Sequence, residues 1–240
     1  MENIASIAAR LREETQKIIV GKQHQIDLIL MSIFSGGHVL LSDLPGSGKT
    51  TLVRTLSIAL GCQFRRLQFT PDLLPSDIVG MMIYNQKAGD FELKRGPVHT
   101  NILLADEINR AIPRTQAALL EAMEERQTTI DGESLPDPFF VLATQNPVEH
   151  ESTFMLPAAQ MDRFFLRLSM GYPTQDEEVS ILSHLGDRTP YEEVNTVTNP
   201  EMLRALRSEI AQMAVSDAIS SRSEERRVGK ECRSRWSPYH

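Results

Sequence analysis

The chain has 240 residues, of which 41% are apolar and 24% charged, so it can bury the core of one α/β domain with length left for a small second lobe. No apolar run approaches the roughly 18 residues of a membrane-spanning helix, and the amino terminus lacks the basic and apolar regions of a signal peptide. Two distant cysteines exclude a disulfide framework and fit a reducing cytoplasm, while the net charge of -7 argues against binding nucleic acid by charge alone.

The first half of the chain alternates predicted helices with predicted strands. Apolar residues at helical spacing predict a helix from Ile4 that stops near Val20-Gly21, and a second helix over residues 23–35. Short apolar runs bounded by glycine or turn residues are typical of central parallel strands. The elements that follow are a strand at 38–42, a helix at 50–60, a strand at 64–69, a hairpin built from 81–84 and 91–93, and a strand at 101–106.

The second half continues this alternation and then becomes helical. The predicted elements are a helix at 113–126, a small hairpin around Asp131-Gly132, strands at 139–144 and 164–168, and helices at 175–185 and 200–215. Alternating strands and helices give a parallel sheet with right-handed crossovers and helices on both faces. We therefore predict an α/β fold, an αβα sandwich around a five-stranded parallel sheet.

A phosphate-binding loop lies between the first predicted strand and its helix. Residues 43–50 read DLPGSGKT and match the phosphate-loop pattern, except that Asp43 replaces the first glycine. Glycines let backbone N–H groups close around phosphate oxygens at a helix amino terminus. Lys49 is suited to reach the β- and γ-phosphates, and the Thr50 hydroxyl is suited to bind Mg²⁺. The alternative, a glycine turn before an ordinary helix, fits the surrounding strand and helix less well.

An acidic pair ends the strand at 101–106. Asp106 and Glu107 would lie at the carboxyl edge of the parallel sheet, where ligands bind in open α/β folds. We expect Asp106 to hold Mg²⁺ through water and Glu107 to polarise the water that attacks the γ-phosphate. The pair would otherwise only cap the next helix, but a phosphate loop on the same sheet favours the catalytic interpretation.

These motifs and four further segments resemble the AAA+ ATPases, and within them the MoxR group. The segments are ADEINRA at 105–111, QAALLEAMEER at 116–126, ATQNPVE at 143–149 and LPAAQMDRF at 156–164. The resemblance covers about residues 4 to 215 and implies the AAA+ form of the P-loop NTPase fold, with ATP and Mg²⁺ as ligands. Asp43 resembles a variant common in this group.

The resemblance also implies roles for residues outside these two motifs. Asn146 matches sensor 1, which helps to position the attacking water, although it can also form an Asn-Pro turn. Arg163 matches the arginine finger that acts on a neighbouring subunit, with a surface ion pair to Asp162 as the alternative. The backbone at Val20 and Gly21 would lie near adenine. The loop residues expected to contact nucleotide are Pro45, Gly46, Ser47, Gly48, Lys49, Thr50 and Thr51.

The domain division follows from the same resemblance. We expect a nucleotide-binding core at 1–172, a partial helical lid at 173–221, and a non-native or disordered tail at 222–240. The tail holds six Lys or Arg, three Glu and the only Trp, and it lacks apolar periodicity. A basic tail that binds nucleic acid or a membrane is the alternative. The sensor 2 arginine of the lid has no match before this tail, so the chain is expected to be truncated.

Three functions remain open from the sequence. The first is ATP hydrolysis in a MoxR-type ring, expected to be hexameric and cytoplasmic, which remodels protein clients or inserts metal with a von Willebrand factor A-type partner. The second is a nucleic-acid motor, against which the hairpins show little basic character. The third is a fragment that binds nucleotide without turnover. The histidines His24, His38, His99, His150 and His184 show no metal-ligand spacing and are interpreted as structural or surface residues.

Overall fold

The computed structural model describes residues 3–42, 46–87, 89–128, 133–146, 153–184 and 190–216. Its helices and strands in chain order are α1 (Ile4–Gln16), α2 (Gln23–Phe34), β1 (Val39–Ser42), α3 (Lys49–Ala59), β2 (Phe64–Gln68), α4 (Pro75–Val79), β3 (Gly80–Asn85), β4 (Asp90–Arg95), β5 (Ile102–Asp106), α5 (Pro113–Glu125), β6 (Phe140–Gln145), α6 (Ala158–Met161), β7 (Leu166–Leu168), α7 (Gln175–His184) and α8 (Pro200–Ala211). Short 3₁₀ helices occur at Ile108–Arg110 and Pro190–Glu193.

Five strands form one parallel sheet in the order β2-β5-β6-β1-β7. The strands β3 and β4 form a separate antiparallel hairpin. This topology confirms the predicted five-stranded parallel sheet and the predicted hairpin before β5. The first helix after β1 crosses the sheet, because β1 and β2 are separated by β6 and β5.

Both faces of the sheet are covered, since strand side chains alternate between two apolar clusters. On β5, Leu104 packs into the cluster that also contains side chains of α1, α2 and α3. Its neighbours Leu103 and Ala105 point the other way, into the cluster built on α5. The result is the αβα sandwich expected from the sequence, with every residue of β6 buried.

The differences from the predicted elements lie at their ends and in two short helices. Helix α1 ends at Gln16, because the Ile18 and Ile19 N–H groups both donate to the Thr15 carbonyl and close the last turn. Strand β7 begins only at Leu166, since the Phe164 N–H donates to the Met161 carbonyl in a turn. Helices α4 and α6 were not predicted; each has five residues or fewer, too short for a periodic pattern.

The second predicted hairpin is described only at its base. Gln127 and Ser134 form an antiparallel bridge, and the Thr128 N–H donates to the Glu133 carbonyl at 3.0 Å. The predicted tip at Asp131-Gly132 lies outside the described residues. Arg95 of β4 pairs with Glu133, so the two hairpins contact each other through this ion pair.

The region predicted as a partial lid contains α7, a 3₁₀ helix and α8. The last of these buries Leu203 and Leu206 in the same apolar cluster as α1, α2 and α3. Just before it, the Val197 N–H donates to the Ala59 carbonyl at 2.8 Å. Residues 194–211 are therefore packed on the sandwich, and the division at residue 172 stays a prediction. The predicted tail at 222–240 lies outside the described residues.

Within the described part of the chain, no helix combines the length and the apolar character needed to cross a membrane.

Candidate functional site

The carboxyl ends of β2, β5 and β6 bring four polar side chains to one face of the sheet. Alternation along β2 places Arg66 and Gln68 on the same face. The register of β2 with β5 sets Gln68 beside Asp106, and Thr144 of β6 reaches Asp106 from the other side. Because α3 covers this face, its first turn lies next to these side chains.

The phosphate loop enters α3 through two glycines in left-handed conformations. Gly46 has φ +85° and Gly48, the N-cap of α3, has φ +76°. Residues with a Cβ rarely adopt such angles, so these positions require glycine for the backbone to turn into the helix. None of the residues that the structure describes lies within 4 Å of where a Cβ would stand at either glycine, so this side of the loop is open toward a ligand. Asp43, Leu44 and Pro45 lie outside the described residues, so the prediction for Pro45 is untested.

A cavity of about 410 Å³ separates the loop from the acidic pair. Its lining consists of residues 46–51 together with Arg66, Gln68, Asp106, Glu107, Thr144 and Asn146. The structure thus brings together the predicted loop residues from Gly46 to Thr51 and the predicted side chains Asp106, Glu107 and Asn146. This volume is within the range of small-molecule sites, which typically measure about 300–1,000 Å³.

The carboxylate of Asp106 is hydrogen-bonded at both oxygens. Thr144 Oγ1 donates to Oδ1 at 2.6 Å. Arg66 donates to Oδ2 from both Nη2 at 2.6 Å and Nε at 3.1 Å. Bonds of a guanidinium or hydroxyl to an ionised carboxylate are short and strong, so they fix the orientation of this side chain.

Glu107 has left-handed backbone, with φ +56°, at the point where β5 ends. Its N–H donates to Thr144 Oγ1 at 2.8 Å, so one hydroxyl holds both residues of the acidic pair. Gln68 Nε2 donates to Glu107 Oε2 at 2.6 Å, and Arg110 Nη1 lies 3.0 Å from the same oxygen. These contacts hold the carboxylate at the rim of the cavity and turn Oε2 toward β2.

Asn146 follows β6 and is 6% exposed. Its backbone is held by the amide side chain of Asn109: Nδ2 donates to the Asn146 carbonyl at 3.1 Å, and Oδ1 accepts the Asn146 N–H at 3.3 Å. Asn109 is itself fully buried in the 3₁₀ helix after β5. This pair therefore ties the end of β6 to the segment that carries Glu107.

Two further predicted positions lie away from the cavity lining. Gly21 is covered by the side chain of Glu177, whose carboxylate stands where a Cβ would be. The Lys22 ammonium donates to the Tyr172 carbonyl at 2.8 Å. The backbone at Val20 and Gly21 is thus close to the chain that leads into α7, and the adenine role predicted for these two residues is untested.

Arg163 also lies away from the cavity lining. Its Nη2 forms an ion pair with Glu124 Oε2 of α5 at 2.8 Å, and its side chain is 37% exposed. The surface ion pair that the sequence offered as the alternative role of Arg163 is present, but its carboxylate belongs to Glu124 and not to Asp162. The role of Arg163 as a finger depends on a neighbouring subunit and stays a prediction.

Arg66, Gln68 and Thr144 were missed by the sequence interpretation. Their strands were predicted, and side-chain alternation along a strand is the signal that could have put Arg66 and Gln68 on one face. What the sequence lacks is the strand order, which brings β2 and β6 to either side of β5. A sheet order predicted from the fold resemblance would have directed attention to all three.

The residues present fit a nucleotide with Mg²⁺. Ser47 Oγ is buried and has no hydrogen-bond partner among the residues that the structure describes. Buried polar groups are usually hydrogen-bonded, so this oxygen is expected to bond to a ligand. No cluster of three or more His, Cys, Asp or Glu in the described ranges could hold a metal alone. Mg²⁺ in such sites takes one or two protein oxygens and fills the rest with phosphates and water. Thr50 and Asp106 both line the cavity and are the residues that would supply those oxygens.

Comparison with known proteins agrees with this geometry. The family model described as "ATPase family associated with various cellular activities (AAA)" matches residues 38–166. MoxR1 of Mycobacterium tuberculosis, named a chaperone, is 46% identical over 193 residues, which are 80% of this chain and 51% of that protein. The chain belongs to the MoxR group of AAA+ ATPases. YeaC of Bacillus subtilis is 48% identical to this MoxR-group chain over 220 residues, 91% of the chain and 69% of YeaC.

A solved structure supports the same membership. The crystal structure of a Cytophaga hutchinsonii protein matches with a TM-score of 0.81 and 40% identity, covering 92% of this chain and 70% of that one. The present MoxR-group chain spans about half the length of MoxR1, so the activity, clients and partners of the whole protein are matters for proposal.

Proposed function

We propose that the chain binds ATP with Mg²⁺ and hydrolyses it. The observation that carries the proposal is the cavity in which the phosphate loop and the first turn of α3 face Asp106 and Glu107. A helix amino terminus preceded by glycine turns binds phosphate, and acidic side chains opposite it hold a cation and activate water. Membership of an ATPase family supports the same reaction.

The binding roles are divided between the loop and the sheet edge. Residues 45–51 would surround the phosphates, with the Lys49 ammonium at the β- and γ-phosphates and the backbone of Val20 and Gly21 beside adenine. Thr50 and, through water, Asp106 would hold Mg²⁺, which neutralises charge on the phosphates during transfer. The bonds from Thr144 and Arg66 keep the Asp106 carboxylate in a fixed orientation before ligand arrives.

Glu107 is proposed as the group that accepts a proton from the attacking water. Both side-chain contacts recorded for it in the described residues, from Gln68 and Arg110, end at Oε2, so Oε1 is the oxygen that accepts this proton. Asn146, held in place by Asn109, would orient the same water by its side-chain amide. A buried amide with a fixed backbone is suited to that task because it needs little reorganisation.

Arg163 is proposed to complete the site of a neighbouring subunit in a homo-oligomeric ring, expected to be hexameric in the longer protein. Its side chain is partly exposed and does not line the cavity of its own subunit, which supports an action in trans. Arginine fingers contribute about 10³–10⁵ to the rate, so an isolated subunit should turn over slowly. Of the lid proposed for residues 173–221, the part before residue 194 would close over the nucleotide in such a ring, since α8 and the segment before it are packed at the carboxyl end of α3.

The biological role proposed for the whole protein is chaperone-like remodelling of protein complexes or metal insertion in the cytoplasm, with a von Willebrand factor A-type protein as partner. The name of MoxR1 as a chaperone supports the first part of this role. Stimulation of turnover by DNA, with a steep salt dependence, would instead favour a nucleic-acid motor.

The hydrolytic mechanism is tested with two variants that separate binding from chemistry. Lys49→Ala is expected to lose nucleotide affinity, whereas Glu107→Gln keeps binding and loses phosphate release. Lys17→Ala and Glu125→Gln serve as controls, because both side chains are on the surface away from the cavity. Turnover by Glu107→Gln equal to wild type would remove Glu107 from the mechanism.

The trans role of Arg163 is tested by mixing subunits of the longer protein. Arg163→Ala subunits keep an intact nucleotide site, and Lys49→Ala subunits keep the finger. Mixed rings should therefore recover part of the activity that each variant lacks alone. Rings that assemble from both variants without any recovery would contradict action in trans.

A further inference from the structure

Arg66 occupies one oxygen of the carboxylate that is proposed to hold Mg²⁺. Its guanidinium donates twice to Asp106 Oδ2, at 2.6 and 3.1 Å, and once from Nη2 to Gln68 Oε1 at 2.9 Å. Gln68 then donates to Glu107 Oε2 at 2.6 Å. A continuous chain of hydrogen bonds therefore runs from Arg66 through Gln68 to the second residue of the acidic pair.

The two donors of Arg66 engage Oδ2, while Thr144 engages Oδ1. A divalent cation held by Asp106, directly or through its water, needs oxygen lone pairs of this carboxylate. Two cations on one carboxylate also repel each other strongly where water is partly excluded, and the Asp106 side chain is only 13% exposed. Arg66 and the metal therefore compete for the same group.

We infer that Arg66 is the counter-ion of Asp106 when no metal is bound, and that a divalent cation entering with the nucleotide displaces it. This rests on the proposed function of the cavity as a Mg²⁺–nucleotide site. The side chain of Arg66 is 48% exposed, so it has solvent-filled space in which to move. Its departure breaks the hydrogen bond to Gln68 Oε1. Because the same amide donates to Glu107 Oε2, metal binding at Asp106 changes how Glu107 is held. Arg66 is thus a positioning residue.

The inference predicts a change in how strongly Mg²⁺ promotes nucleotide binding. Without metal, Arg66→Gln leaves the Asp106 charge unpaired and repels phosphate, so binding weakens. With metal, Mg²⁺ no longer competes with Arg66 for Asp106, so the nucleotide binds more tightly to the variant than to wild type. Both dissociation constants are measured with a fluorescent ADP. The constant in EDTA divided by the constant in saturating MgCl₂ is expected to rise about two- to fivefold over wild type, the scale of a partly exposed ion pair.

Matched variants separate this effect from a general disturbance. Arg65→Gln removes the same charge from the opposite face of β2 and is expected to leave the ratio unchanged. Arg66→Lys keeps the charge but not the forked geometry, so it should return the ratio most of the way to wild type. In an Asp106→Asn background, Arg66→Gln should have no effect on the ratio, since the shared group is neutral.

The outcomes are distinguishable. An Arg66→Gln protein that binds nucleotide more weakly by the same factor with and without Mg²⁺ has only a structural defect, and this overturns the inference. Should that variant fail to fold, as judged by circular dichroism, Arg66→Met takes its place, because it removes the same charge and keeps the apolar stem, and an unchanged ratio for Arg66→Met overturns the inference. Wild-type protein that binds no nucleotide overturns the proposed function itself.

Discussion

His38 at the start of β1 is held in its neutral form, and acid should therefore destabilise the fold. The ring is 5% exposed and packs against Phe139 and Phe140. Its Nδ1 accepts the Val141 N–H at 3.0 Å, so the ring proton is on Nε2, which lies 3.3 Å from the Met123 carbonyl. A second proton would have to go onto Nδ1 and would confront the Val141 N–H with another donor.

The size of the effect follows from the pKa. The pKa of His38 is lowered from 6.5 to about 4, mainly by burial; the hydrogen bond to Met123 opposes this shift, and the charges of Arg126 and Arg207 add to it. Between these two pH values the unfolded chain binds a proton that the folded chain excludes. The free energy of unfolding therefore carries its full value above pH 6.5 and falls as the pH is lowered toward 4. The total loss from this one group is about 3 kcal/mol, at 1.36 kcal/mol per pH unit.

The assay compares urea unfolding of wild type and His38→Gln across this pH range. The glutamine cannot titrate, so its free energy of unfolding should fall less on acidification, by about 3 kcal/mol, while carboxylates contribute equally to both proteins. The variant will be less stable at neutral pH because it disturbs buried hydrogen bonds. Parallel curves for the two proteins from pH 6.5 to 4 would refute the assignment of a neutral, unprotonatable His38.

Three further changes test the site and its surroundings. Thr144→Val removes the hydroxyl that donates to Asp106 and accepts from Glu107 N–H. We expect the free energy of unfolding in urea to fall by about 1–3 kcal/mol and ATP turnover to slow. Normal turnover would exclude Thr144 from the site. In Gly48→Ala the added Cβ has no neighbour within 4 Å among the described residues, so its cost should come only from the strain of φ +76°, about 1–2 kcal/mol. Thermal unfolding measures this cost, and a much larger one would contradict the reasoning. Burial raises the pKa of the Cys62 thiol to about 11, so its alkylation near pH 8 should be slow until urea unfolds the chain. Peptide mass spectrometry follows the alkylation of Cys62, and equal rates in the folded and unfolded states would contradict its burial.

The sequence predicts the parts of this site that lie next to each other in the chain. Gly46 to Thr50 and the pair Asp106-Glu107 are each defined by a few residues at the end of an apolar strand. Such local patterns report backbone geometry directly, because glycine is required for positive φ and a short apolar run indicates a buried strand. The sheet and its faces follow from the same patterns.

The parts that could not be predicted depend on contacts between distant segments. From the sequence alone, Arg66 is interpreted as an exposed strand residue. Only the sheet order, in which β2 lies beside β5, shows that it can reach Asp106. Thr144 reads as an ordinary strand residue, although its hydroxyl joins Asp106 to the backbone of Glu107. The ion pair of Arg163 with Glu124 likewise depends on how α6 meets α5, which no spacing along the chain determines.

Helix α3 joins the ligand end of the molecule to its far side. It begins at Lys49 in the phosphate loop and runs about 16 Å to Ala59. At that end the carbonyls of Ile58, Ala59 and Leu60 accept hydrogen bonds from residues 196–198, just before α8. A helix is stiff along its axis, so α3 couples its two ends mechanically, and a displacement of the phosphate loop along that axis would be transmitted to the segment that leads into α8.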